Sequence, residues 1–272
     1  MNAKKGQATM DRAERTVRFK FSLALRRAVA MFFMTISRLL GSFSGLLRGD
    51  VPLSVVKSWH RDMCRIGGIS VEIKGEIERG DHILYVSNHV SYIDIPVMGS
   101  FLDAWFVAKS EVRGWPGFGF LAKVGKTVFI ERKTRRAHDQ QNQLSVLLDQ
   151  GKNLILFPEG TSTDGLDVVT FKPTLFQAAF DKAGKGDSRI RIQPFSIRYI
   201  ALNDTILTAE MRDRYAWYGD MTLADHFWYW LGLGQLRVEL CFHPAINPAE
   251  FKGRKEVAAH CENLIHHDLK SV

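Results

Sequence analysis

Two short segments of this chain set acid–base side chains beside turn-forming residues, each directly after an apolar run. In the first, Ser87-Asn88-His89-Val90-Ser91-Tyr92-Ile93-Asp94 follows His82–Val86 (HILYV). A spacing of five puts two side chains on different faces of a continuous helix, so His89 and Asp94 can meet only across a turn. If they meet, the carboxylate can hold one imidazole nitrogen and fix its tautomer, leaving the other to take a proton from a hydroxyl. On spacing alone, a histidine and an aspartate serving as turn and cap residues is the commoner arrangement. In the second segment, Pro158-Glu159-Gly160-Thr161-Ser162 follows Asn153–Phe157 (NLILF). Pro158 ends the run, Glu159 could bind acceptor hydroxyls at the turn, and Gly160 would let a substrate approach the backbone. Thr161 and Ser162 could equally be ordinary loop caps.

Groups at such junctions need a sheet to hold them. The alternating Ile69, Val71, Ile73 and the short apolar runs His82–Val86, Trp105–Val107, Thr127–Ile130, Asn153–Phe157, Ile190–Tyr199 and Leu236–Phe242 read as strands. Helix-length segments lie at 54–65, 93–102, 113–123, 134–150, 171–182 and 249–269. The alternation predicts an α/β fold: a single domain with a largely buried mixed sheet flanked by helices, its active groups where strands hand over to helices.

The chain has 272 residues, 46% hydrophobic and 24% charged, which excludes a disordered or disulfide-stapled scaffold. Its net charge of +8 is confined to the N-terminus: residues 1–48 carry ten Lys or Arg against Asp11 and Glu14, and the remainder balances. A nucleic-acid-binding face over the body is therefore not expected. From Ala28 to Ser37 only ten residues are uncharged, short of the roughly 18–20 that a spanning helix needs. Val29, Phe32, Phe33, Ile36, Leu39, Leu40, Phe43 and Leu47 instead fall on one helical stripe with Arg27 and Arg38 opposite. That pattern suits an amphipathic helix lying in a membrane interface, its arginines toward anionic headgroups, and it also suits a helix packed on its own core. The charge segregation favours the first, so the expected organisation is a membrane-associating arm over 1–50 and a catalytic domain over 51–272. Cys64, Cys241 and Cys261 form no CxxC pair, as expected on the reducing, cytoplasmic side of a cell membrane. His260, Cys261, His266 and His267 have no repeated ligand spacing, so no metal is expected. The aromatic cluster Trp217, Tyr218 and Phe227–Trp230 suits core or a second membrane contact.

Taken together, the segments resemble the glycerolipid acyltransferase family. The resemblance covers roughly Val71 to Tyr199: NHxxxxD at Asn88, His89 and Asp94, and FPEGT at Phe157–Thr161. Between them Gly125–Arg132 is similar to the family's G-x-x-FI-D-R block, with Glu131 in place of the usual Asp, and Ile192–Ile197 is similar to its proline-containing fourth block. The resemblance implies acyl transfer from acyl-carrier protein or coenzyme A to a lysolipid hydroxyl, with no covalent acyl-enzyme and no cofactor. It makes His89 the general base and Asp94 its orienting partner, and assigns acceptor binding to Arg132 and Glu159 with the Gly160-Thr161-Ser162 turn. A donor must also stabilise the tetrahedral oxyanion, for which Lys109 and Lys126 are candidates. In one respect the chain departs from the family: the commonest form has an Arg after FPEGT, where this chain has Ser162. Lyso-ornithine lipid acyltransferases resemble this Arg-free version more closely. The leading acceptor at this stage is 1-acylglycerol-3-phosphate by a narrow margin, with a lyso-ornithine lipid the alternative. A lipid esterase is disfavoured because no G-x-S-x-G elbow supplies a nucleophile, and a silent membrane adaptor because His89, Asp94 and Glu159 are intact.

Overall fold

The structure, a computed structural model, describes residues 18–130, 137–184 and 189–271. Its strands are β1 (Ile69–Lys74), β2 (Ile83–Ser87), β3 (Trp105–Lys109), β4 (Val128–Ile130), β5 (Leu154–Leu156), β6 (Arg191–Leu202), β7 (Thr205–Ile206) and β8 (Leu236–Phe242). They form one sheet in the order β1-β8-β6-β2-β5-β3-β4, with β7 beside β6. From β6 to β4 all neighbours are parallel, whereas β8 runs antiparallel to β6 and carries β1 parallel to itself. The sheet is thus mixed, as expected. β2 and β5 are buried at every position and, apart from the closing Ser87 of β2, are built of apolar and aromatic residues, the composition of central strands covered on both faces. Pro194 is tolerated inside β6 because the amide it lacks would point, like that of Ile192, toward the β8 side, where β8 has already ended at Phe242.

The helices are α1 (Phe21–Gly41), α2 (Phe43–Arg48), α3 (Leu53–Gly67), α4 (Asp94–Gly99), α5 (Phe118–Val124), α6 (Ala137–Asp149), α7 (Gln177–Gly184), α8 (Leu223–Leu231) and α9 (Arg254–Lys270). Two apolar clusters fill the faces of the sheet. One joins Tyr85, Phe195 and Ile197 to α1, α4 and α8, and the other joins Leu84, Val86 and Ile192 to α7 and α9. The helix expected over 93–102 is shorter, six residues long, because the chain from Ser87 to Ile93 is spent on the turn that the site requires.

The N-terminal segment corrects one expectation. α1 is a regular helix, but Arg27 and Arg38 face the protein rather than headgroups. Arg27 is buried, donating to Leu231 O at 3.1 Å, an orphan carbonyl at the C-terminus of α8, and to Gly234 O at 2.7 Å in the loop that follows. Arg38 pairs with Asp62 on α3 at 2.6 Å, and Trp59 donates to Thr35. With these contacts and the buried Ala24 and Met31 holding one face to the body, the stripe is left outside: Val29, Phe32, Phe33, Ile36, Leu40, Phe43 and Leu47 are exposed, and only Leu39 turns partly inward. Among the described residues, no helix is long and apolar enough to cross a membrane.

Candidate active site

Register alone brings the two motif loops together. Val86 on β2 lies opposite Leu156 on the parallel strand β5, so His89 and Glu159, each three residues further on, emerge level at the same end of the sheet. On the other side of β2, Val86 lies opposite Pro194. Once β2 ends, Asn88 takes over its ladder through its side chain, accepting from Ile197 N at 2.9 Å and donating to Ile197 O at 3.1 Å. This pairing stops the strand without leaving β6 unsatisfied, and it frees the backbone after Asn88 to turn.

That turn wraps Asp94. The carboxylate is fully buried, and its Oδ2 accepts from Val90 N at 2.7 Å and Ser91 N at 3.1 Å. The same oxygen lies 2.7 Å from His89 Nδ1, so the imidazole and carboxylate meet across the turn. A carboxylate can only accept, which places the proton on Nδ1 and leaves Nε2 with its lone pair. The ring is set by a stack on Phe157, centroids 4.1 Å apart and planes 15° apart, and its side chain remains partly exposed at 19%. This geometry can accept a proton at Nε2 and stabilise the resulting imidazolium.

Glu159, expected to bind the acceptor, is instead almost wholly buried, with both oxygens engaged by backbone amides. Oε1 accepts from His89 N at 2.8 Å and Oε2 from Val169 N at 2.9 Å, while Thr163 N donates to His89 O at 2.8 Å. The backbone of His89 is therefore clamped by the loop after β5. Burial pushes the Glu159 carboxyl up to about 7, against the pull of those two amide donors and of His89. Gly160 sits at φ +77°, a left-handed conformation that side chains resist, which accounts for glycine there. Thr161 is exposed and Ser162 half-buried at the rim.

Lys126 pairs with Asp50 at 2.6 Å and lies over the Trp105 ring, below the opposite end of the strands, and so cannot serve the oxyanion. Arg132 and Glu131 lie outside the described residues. Of the C-terminal group, Cys261 is core, His260 leans on Phe251 and His266 meets Asp167, so they do not converge. Cys241, His243 and Asp268 do converge, but on the far face of the sheet. There Asp268 accepts from Ser196 at 2.6 Å and lies 2.9 Å from His243 Nε2, joining α9 to β6 and the end of β8.

One contact has no counterpart in the sequence reading. Tyr199 donates its hydroxyl to Asp94 Oδ1 at 2.6 Å, from 105 residues away. Its signal was faint but present: Phe195, Ile197 and Tyr199 alternate onto the same face of β6, and only the third carries a polar atom.

Comparison with known proteins bears on this arrangement. The family model described as Acyltransferase matches residues 68–198, which span both motif loops and Tyr85 through Arg198. The chain is 36% identical over 204 residues, 74% of its length and 70% of the relative's, to a lyso-ornithine lipid O-acyltransferase of Rhizobium meliloti. It is 30% identical over 178 residues, 65% of each chain, to a 1-acyl-sn-glycerol-3-phosphate acyltransferase of Neisseria gonorrhoeae. The fold matches the crystal structure of the 1-acyl-sn-glycerophosphate acyltransferase of Thermotoga maritima with a TM-score of 0.64 at 20% identity, covering 91% of this chain and 93% of that one.

Proposed function

Because this chain belongs to the acyltransferase family, we propose that it transfers an acyl chain from a thioester to the hydroxyl of a lyso-ornithine lipid, giving an ornithine lipid. The observation that carries the chemistry is the Nδ1 contact of His89 with a buried, four-times-bonded carboxylate. His89 Nε2 removes the hydroxyl proton as that oxygen attacks the thioester carbonyl. The tetrahedral intermediate then collapses, expelling the thiolate, which takes the proton back from the imidazolium. Asp94 stabilises the imidazolium throughout, and Glu159 braces the loop that carries His89. Acyl-carrier protein or coenzyme A carries the acyl group, and Gly160, Thr161, Ser162 and Arg132 receive the acceptor.

The acceptor reading rests on Ser162 and on the names of the relatives, among which lyso-ornithine lipid O-acyltransferases show the higher identities. A phosphate monoester carries nearly two charges and is best held by two basic side chains, of which this motif retains Arg132 alone. The exposed stripe of α1 and α2 supports a monotopic membrane seat for the N-terminal arm, 1–50, with 51–272 as the catalytic domain; the cytoplasmic face is part of the same proposal and rests on the three unpaired cysteines of the sequence.

The test offers protein-containing membranes radiolabelled acyl-carrier protein thioester or acyl-CoA with a panel of lysolipids. Turnover with lyso-ornithine lipid in the wild type and none in His89→Ala is expected. Turnover with 1-acylglycerol-3-phosphate alone would replace the acceptor, and undiminished activity of His89→Ala would overturn the mechanism.

A further inference from the structure

We infer that Tyr199 is a positioning residue for acyl transfer: its hydroxyl fixes the rotamer and the charge of Asp94 and, through that carboxylate, the basicity of His89. The inference rests on His89 being the general base.

Asp94 is held asymmetrically. Oδ2 accepts from His89 Nδ1, Val90 N and Ser91 N, whereas the described contacts of Oδ1 consist of one bond, from Tyr199 at 2.6 Å. The backbone donors belong to the turn itself and would follow it if it moved. Tyr199 belongs to β6, the long strand bonded to β2 and β8 along its length, so it ties the carboxylate to the rigid sheet. Its ring stacks on Tyr215, centroids 4.9 Å apart, and the residue is 8% exposed, which prevents the hydroxyl from swinging to water. Burial first, then the charge of Asp94, pushes the Tyr199 phenol well above its ordinary range, so it remains a donor throughout the working pH range.

A donor on Oδ1 withdraws charge from Oδ2 and weakens the pull of Asp94 on the Nδ1 proton. Removing it leaves a buried lone pair unsatisfied and concentrates the charge on the side facing the imidazole. Imidazolium is then favoured, and the general base is blocked to a higher pH. Among the described residues, Glu159 after β5 faces this pair, and Tyr92 in the turn and Tyr215 beyond β6 face Tyr199. Glu159, whose carboxyl burial pushes up to about 7, bonds only the backbone of His89, so the readout must follow the imidazole itself.

The experiment uses the full-length protein in mixed micelles and compares wild type, Tyr199→Phe, His89→Ala, Asp94→Asn and Asp94→Asn/Tyr199→Phe. Tyr199→Phe is expected to lower kcat about three-fold at pH below the His89 midpoint, with KM within about two-fold. The titration midpoint of His89, read from its ring NMR signals and assigned by their absence in His89→Ala, is expected to rise by about half a unit. In the Asp94→Asn background the same substitution should leave that midpoint in place. Wild-type kcat in Tyr199→Phe below that midpoint overturns the inference, as does a fall in kcat with an unmoved midpoint, which would mark tyrosine as packing alone. Activity persisting in His89→Ala would instead overturn the general-base reading, independently of Tyr199.

Discussion

Replacing Asp94 by asparagine tests the site most sharply, because the geometry predicts how the amide must sit. Oδ2 faces two backbone N–H groups that cannot turn away, at 2.7 and 3.1 Å, so the amide oxygen has to occupy that position. The same oxygen then still accepts from His89 Nδ1, and the productive tautomer survives. The amide nitrogen falls on the Oδ1 side, where Tyr199 can turn from donor to acceptor. What is lost is the charge. At about 4 Å and an effective dielectric of about 20, a carboxylate and an imidazolium attract by roughly 4 kcal/mol, an upper bound from which the surviving hydrogen bonds subtract. A loss of about 100-fold in kcat, near 2.7 kcal/mol, is the expected result. That is milder than the roughly 10⁴-fold loss in a triad where the amide selects the wrong tautomer. The acid limb of the rate profile should also move to lower pH, since imidazolium loses its anionic neighbour. Initial rates of labelled acyl transfer between about pH 5 and 9, with a thermal melt to show the fold is kept, provide the measurement. A loss as complete as that of His89→Ala, or one below about three-fold, would refute the reasoning.

Three further outcomes follow from the same geometry. Phe32→Ser/Phe33→Ser should weaken sedimentation with anionic liposomes at least ten-fold while leaving the melting temperature unchanged, since both rings are more than 60% exposed. Deletion of residues 1–48 would be a poorer probe, because it uncovers the core that Ala24 and Met31 close. Glu159→Gln should be destabilised by about 1–3 kcal/mol, because one of the two backbone amides that the carboxylate holds loses its acceptor. Its deficit should shrink as pH rises from about 4.5 to about 7: with a folded carboxyl near 7 the wild type alone sheds stability across that window, by about 3 kcal/mol, and a deficit that grew instead would show the amide donors outweighing burial. Ser162→Arg should shift kcat/KM toward 1-acylglycerol-3-phosphate over lyso-ornithine lipid by about ten-fold, one charge-assisted contact, and an unmoved ratio would mean the position does not read the headgroup.

How much of this could be read from the sequence depended on the range of the interaction. Strand positions were legible because period-2 and continuous apolar patterns are local, and β8 ends where its apolar run does. His89 and Asp94 were legible as residues but not as a pair, since spacing left a plain turn open. What decides for the pair is the wrapping of Val90 and Ser91 amides around one oxygen. Helix faces were harder. The stripe of α1 was identified, yet its arginines were turned to the wrong medium, because a helical wheel separates faces without saying which is covered. The body covers the arginine side, since the end of α8 and the loop after it offer carbonyls there that Arg27 satisfies. Least legible was the long-range pairing that completes the site. Glu159 reaches His89 across 70 residues and Tyr199 reaches Asp94 across 105, and both follow only once β2 is known to lie between β5 and β6. The two motif loops carry the reactive groups, and the register of three parallel strands makes them one site.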